Sequence, residues 1–360
     1  MNNNYLLHNE TAKKLYFEYA KDLPIIALCS NFEPRERIYN NITEAFLLND
    51  FYKLDAMRNG DIDEKYITGD ASDYEKFKAF CSVLPQFAGN PIYLLSHIEL
   101  IKNYGCDLEI NENNCDNIWS MCNAFIQDNQ INDINLLERL NVTVHQCIDI
   151  DFFINRLLSR MQVSTLESFE KVIIDEIISA DKKGCKNAFY SFGHGFCMTN
   201  PYLAAKIYKS YIENDEQIKV SDFNVLATQI DRSLGIVCKK LDWSWLYENY
   251  EPSPELINYL KKSNALPKSN RVYRYNVYIE EEEFSSEILY LAQQKCFGKA
   301  ILVHDTDNYL STYARNDYFR RVVCNIIGEW IENGEYTSDE KILKKLIEDV
   351  LYNNLKEAIS

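Results

Sequence analysis

Pro24-Ile25-Ile26-Ala27-Leu28-Cys29 is a continuous apolar run behind a proline, about the length of one strand. A run with no polar alternation suits a parallel strand, because helices cover both faces of such a sheet. A second run of this kind, Lys299-Ala300-Ile301-Leu302-Val303-His304, lies near the other end of the chain. Helical patterning flanks both. Ahead of the first, Asn9 reads as an N-cap, and Ala12, Leu15, Tyr16, Tyr19 and Ala20 share one helical face. After the second come Phe319, Val322, Val323, Ile326, Ile327 and Trp330, then a final helix carrying Ile342, Leu343, Leu346, Ile347, Val350 and Leu351.

Between these ends, the segment from about Pro34 to His97 reads as mostly helical, punctuated by Asn90-Pro91. Ser164-x-x-Glu167 has the form of a capping box. The helix after it carries Leu166, Phe169, Val172, Ile173 and Ile177, Gly184 supplies a C-terminal stop, and Cys185 to Phe192 reads as the next strand. Arg271 to Ile279 alternates aromatic and polar residues, as a strand or hairpin arm does, and Glu280 to Glu283 reads as a solvated turn. Strands alternating with helices predict an α/β protein with a parallel sheet.

Composition narrows the function. The chain has 360 residues and a formal net charge of −16. That opposes a nucleic-acid surface, which needs clustered Lys and Arg, and gives an anionic substrate no long-range attraction. The 11 cysteines include no C-x-x-C pair, and the polar start Met1-Asn2-Asn3-Asn4 lacks a signal-like apolar run. Both point to reduced thiols in a cytoplasmic protein. No stretch approaches the ~20 apolar residues of a membrane span. No nucleic acid or membrane is expected as a partner, and the oligomeric state is not legible.

Longer motifs carry a resemblance. Asn9-Glu10-Thr11-Ala12-Lys13-Lys14-Leu15-Tyr16, Tyr66-Ile67-Thr68-Gly69-Asp70-Ala71-Ser72-Asp73, Gly89-Asn90-Pro91 with His97-x-Glu99-Leu100, and Tyr318-Phe319-Arg320-Arg321-x-x-Cys324-Asn325-x-x-Gly328-x-Trp330 resemble the uronate isomerases of the amidohydrolase-like superfamily. The resemblance covers about residues 5–105 and 296–356 and is weak between. It implies a distorted (β/α)₈ TIM-type barrel over residues 1–360, with a helical insertion after the first strand at about residues 32–100. The chain is shorter than typical members, which leaves open an incomplete barrel. The implied reaction interconverts aldose and ketose uronates, such as D-glucuronate with D-fructuronate or D-galacturonate with D-tagaturonate. It moves a proton between C2 and C1 through an enediol, and a divalent metal serves in the family.

The resemblance also locates the family's chemical residues, and most are replaced here. The metal-holding His-x-His pair at the end of the first strand falls on Cys29 and Asn31, a poor donor set for a transition metal. A His-Tyr pair with a following Arg reads Phe51-Tyr52-Lys53-Leu54-Asp55, keeping only the phenol of Tyr52. An Asp-His pair after the next recognised strand reads Phe189-Tyr190, with His194-Gly195 a few residues on. The Asp-Ser-Arg ending the last strand reads Asp305-Thr306-Asp307 behind His304, so Asp305 keeps the carboxylate and Asp307 replaces the carboxylate-binding Arg. Arg320 and Arg321 read as facing solvent or a salt bridge rather than the pocket.

The expectation is therefore a catalytically degenerate homologue without a resident cofactor or metal, binding a sugar acid, another small molecule or a protein. Two alternatives stand beside it. One is an active metal-independent isomerase using Asp305 and Tyr52. The other is a repurposed barrel drawing on Cys29, His194 or His304. Substrate-binding residues are not assigned.

Overall fold

The computed structural model describes residues 4–29, 33–150, 165–190, 194–213, 218–248, 251–275, 297–304 and 310–360, together with 163, 286, 288, 290 and 291; the His304 side chain lies outside the description. Six strands form one sheet in chain order: β1 Ile25–Cys29, β2 Val142–Asp149, β3 Asn187–Tyr190, β4 Ser244–Glu248, β5 Lys268–Tyr275 and β6 Leu302–His304. Every neighbouring pair is parallel. All six C-terminal ends therefore lie along one rim. The sheet curls into an incomplete TIM-type barrel, as the family resemblance implies, and its parallel strands are those that the strand–helix alternation predicts.

Strand alternation sorts the side chains into two layers. Ile26, Leu28, Cys147, Phe189, Leu246, Val272 and Val303 meet inside the barrel, where Leu355, Ala358 and Ile359 of the C-terminal helix close the end opposite the rim. The alternate residues face helices. Ile25 and Ala27 pack with Leu137 and Val142, while Tyr190, Trp245 and Tyr247 pack under the helices between β2 and β5.

The helices between β1 and β2 are α2 Phe51–Asn59, α3 Asp73–Val83, α4 Pro91–Tyr104, α5 Cys115–Asp128 and α6 Asp133–Arg139. The helical segment thus runs past residue 100, where the sequence suggested that it would end. These helices share an apolar core of their own, from Tyr39 to Leu136.

At the N-terminus, α1 Glu10–Leu15 continues as a π-helical stretch to Ala20, and Asn9 caps it by accepting from the Ala12 amide at 2.7 Å. It packs on α11 Thr312–Glu332, the helix after β6, where a Cβ on Gly328 would lie 2.8 Å from the Ala12 nitrogen. The remaining helices are α7 Leu166–Lys182, α8 Pro201–Glu213, α9 Val220–Lys240, α10 Pro254–Lys262, α12 Glu340–Glu348 and α13 Asn354–Ala358.

Several local readings change. The cap of α7 is Thr165, accepting from the Ser168 amide, one residue beyond the expected Ser164, which is outside the described residues. Arg271 begins no hairpin arm, because β5 runs parallel to both neighbours. Residues 276–285, including the Glu280–Glu283 run, lie outside the described residues. The strand read from Cys185 to Phe192 is observed over Asn187–Tyr190. Strands β2 and β4 had no clear apolar run to announce them: Thr143, His145 and Gln146 interrupt one, and Ser244 and Glu248 bound the other.

Candidate active-site rim

The C-terminal ends of the strands are where a barrel of this kind places its chemistry. Cys29 is the last residue of β1, as expected, and is buried opposite Gln146. Alternation sets it on the strand face of Ile25 and Ala27, toward the helices rather than the barrel interior. Asn31, Asp305 and Asp307 lie outside the described residues; Asp305 directly follows β6 in sequence.

The inner face of the rim carries polar residues that sequence reasoning missed. Asp149 ends β2 on the face of Cys147, Glu248 ends β4 on the face of Leu246, and Arg274 lies near the end of β5 on the face of Val272. Arg274 pairs with Glu248 at 3.3 Å, and its guanidinium stands 5.0 Å from the centroid of the Phe189 ring. His145 shares the inner face of β2 deeper in the barrel, where burial lowers its pKa. The only available signal was period-2 alternation in β2, β4 and β5, which becomes informative once strand identity and register are known.

Phe189 and Tyr190, at the expected Asp-His positions, do different work. Phe189 is buried inside the barrel. Tyr190 faces the helices and donates to Asp231 Oδ1 of α9 at 3.2 Å. His194 Nε2 meets the other oxygen of Asp231 at 2.8 Å, and His194 Nδ1 lies 3.1 Å from the Gly195 carbonyl. With only 4% and 3% side-chain exposure, His194 and Asp231 form a buried latch holding the loop after β3 against α9.

Tyr52 belongs to a second buried group. Asp50 caps α2, accepting from the amides of Tyr52 and Lys53 at 3.1 and 3.3 Å. Lys53 reaches Glu99 of α4 at 2.6 Å, the Phe46 carbonyl at 2.8 Å and Asp50 at 3.4 Å. Arg315, in the first turn of α11, stands 3.8 Å from Asp50 and 4.9 Å from the Tyr52 ring centroid. Burial pushes Glu99 up to about 7, with the Lys53 ammonium opposing that rise. His97 Nε2 accepts from the Ile110 amide at 2.9 Å, and its Nδ1 lies 2.7 Å from the Tyr93 carbonyl.

Arg320 and Arg321 are both buried, which corrects the solvent-facing alternative. Arg320 donates to the carbonyls of Lys21 and Pro24, at 3.3 and 2.8 Å, and so fixes the approach to β1. Arg321 forms a salt bridge with Asp317 at 2.9 Å and lies between the rings of Tyr5 and Tyr16, whose hydroxyls both donate to Asp317. Burial and the Asp317 charge raise the pKa of both phenols, keeping them protonated.

The fold is an incomplete α/β barrel whose six described strands end along one rim. The family model for glucuronate isomerase matches residues 1–170 and 280–358, and the chain belongs to that family. It is 28% identical to the uronate isomerase of Caldanaerobacter subterraneus subsp. tengcongensis and 29% identical to that of Bacillus subtilis. Each alignment spans 460 residues and covers 99% of this chain, with 98% and 97% of the respective relatives. As this chain has 360 residues, about 100 aligned positions have no counterpart in it. Among solved structures, it superposes on the uronate isomerase of Thermotoga maritima with a TM-score of 0.78 at 18% identity, covering 100% of this chain and 99% of that one. For the glucuronate isomerase of Caulobacter crescentus the TM-score is 0.71 at 15% identity, with 99% and 96% covered. These two likenesses concern the fold.

Proposed function

We propose that this protein is a catalytically degenerate uronate isomerase homologue that keeps the barrel as a small-molecule-binding shell. The observation carrying this reading is the fate of the third-strand pair. Phe189 offers the rim no proton carrier, and the Tyr190 hydroxyl is engaged by Asp231 in the helical layer. Enediol chemistry requires a base, an acid and a held carboxylate positioned together.

The described donors do not fit the family's divalent metal. Cys29 takes the helix-facing side of its strand, Phe189 has no donor atom, and Glu248 faces Arg274. Among the described residues, no three His, Cys, Asp or Glu side chains converge. Metal analysis after dialysis is expected to find less than one equivalent of transition metal; a stoichiometric, tightly held ion would contradict this assignment.

The decisive assay follows keto-acid formation from D-glucuronate and D-galacturonate, with and without added divalent metal. No turnover is expected from wild type or Asp305→Asn. Turnover at enzymatic rates, abolished by Asp305→Asn, would replace this proposal with a metal-independent isomerase using Asp305 and Tyr52.

A further inference from the structure

A cavity of about 240 Å³ lies away from the rim, where the π-helical end of α1, α4 and α11 meet just ahead of β1. Tyr16, Phe17 and Tyr313 supply aromatic wall, and Ile98 and Ile101 complete an apolar side. Lys21, Lys102 and Arg321 bring positive charge, with Asp22 as the carboxylate on the lining. This concentration of cations is unusual in a chain of net charge −16. Arg321 is matched by Asp317 at 2.9 Å, and Lys21 lies 3.7 Å from Asp22. Among the described residues, Lys102 has no carboxylate partner and stands 5.6 Å from the Tyr313 ring centroid.

From this geometry we propose a second ligand site, distinct from the barrel rim, for a small aromatic carboxylate. Its ring lies along Tyr16, Phe17 and Tyr313, and its carboxylate lies toward Lys102 and Lys21. Aromatic walls favour a planar π-system, and the lysines favour an anion. The alternative of a polyhydroxylated acid is disfavoured because the hydroxyls of Tyr5 and Tyr16 already donate to Asp317 and the isoleucines offer no polar partner. A ligand here would bridge the N-terminal segment, the helical insertion and the last barrel helix, so binding would stabilise the fold.

Calorimetric titration of the full chain tests the site with four probes: benzoate, benzyl alcohol, acetate and D-galacturonate. Benzoate is expected to bind saturably and raise the melting temperature, whereas the other three bind at least tenfold more weakly. Lys102→Glu and the milder Lys102→Gln, both at an exposed position, should each weaken benzoate by about tenfold or more, the scale of losing one charge-assisted contact. Arg274→Ala at the rim should leave benzoate binding unchanged. Absence of saturable benzoate binding at millimolar concentration would overturn the proposal. So would equal binding of benzyl alcohol, preferential binding of galacturonate, or indifference to both Lys102 variants in folded protein. Galacturonate binding counts in this comparison only where the Lys102 variants weaken it, because a uronate held at the rim would be indifferent to them.

Discussion

The clasp joining the chain ends and the barrel rim draw on the same residue types, arginine, carboxylate and tyrosine, in contrasting surroundings. In the clasp, Asp317 accepts from Tyr5, Tyr16 and Arg321, all packed between α1 and α11. At the rim, Arg274 is 30% exposed and meets Glu248 at 3.3 Å beside Phe189. The clasp lies wholly within the segments matched by the family model, whereas Phe189, Tyr190, Glu248 and Arg274 fall between them. Motifs that announce the family here are therefore chiefly those that close the fold. Lys53 with Glu99, Asp317 with Arg321, and Gly328 against Ala12 are packing constraints, and a chain can keep them while its rim changes.

Asp317→Ala is the largest test of this contrast. It strands the buried Arg321 charge and removes the acceptor for two phenols, so a loss of about 3–5 kcal/mol is expected in urea unfolding. A loss below about 1 kcal/mol would show that the clasp is not the stabilising element inferred here.

A pH series tests the buried pair under α2. Because Glu99 is raised to about 7 from 4.5, the folded state retains its proton while the unfolded chain releases it. The Glu99 contribution should therefore be full below pH ~4.5 and be lost as pH rises toward ~7, by on the order of 2–3 kcal/mol. The difference in stability between wild type and Glu99→Gln should trace that fall; a difference constant across the window would contradict it.

Gly328→Ala should cost about 1–3 kcal/mol, because the new methyl group forces α1 from α11. An unchanged unfolding midpoint would show that the two helices separate readily. The smallest expected effect is at the rim. Arg274→Ala removes a partly exposed ion pair and should cost less than about 1 kcal/mol. A loss rivalling that of Asp317→Ala would erase the contrast between the two regions.

Local chemistry made β1, β6, the Asn9 cap and the apolar stripe of α11 readable in the sequence, since each depends on neighbours within a few residues. The family resemblance added the barrel. The rim was less legible. His194 meets Asp231, on a helix far along the chain, and no local spacing announces that contact. Arg320 and Arg321 look like surface cations until the N-terminal segment folds over them.

By itself the sequence determined alternating strands and helices and the family, because periodicity, caps and motifs are encoded along the chain. Tertiary structure decided which face each rim residue took. It set Cys29 and Tyr190 toward the helices, placed Phe189 and Arg274 on the inner face, and buried the cations of the clasp. The physical reason is that a side chain's role depends on strand register and on which distant element excludes water from it, and neither exists until the barrel has curled and the ends have met.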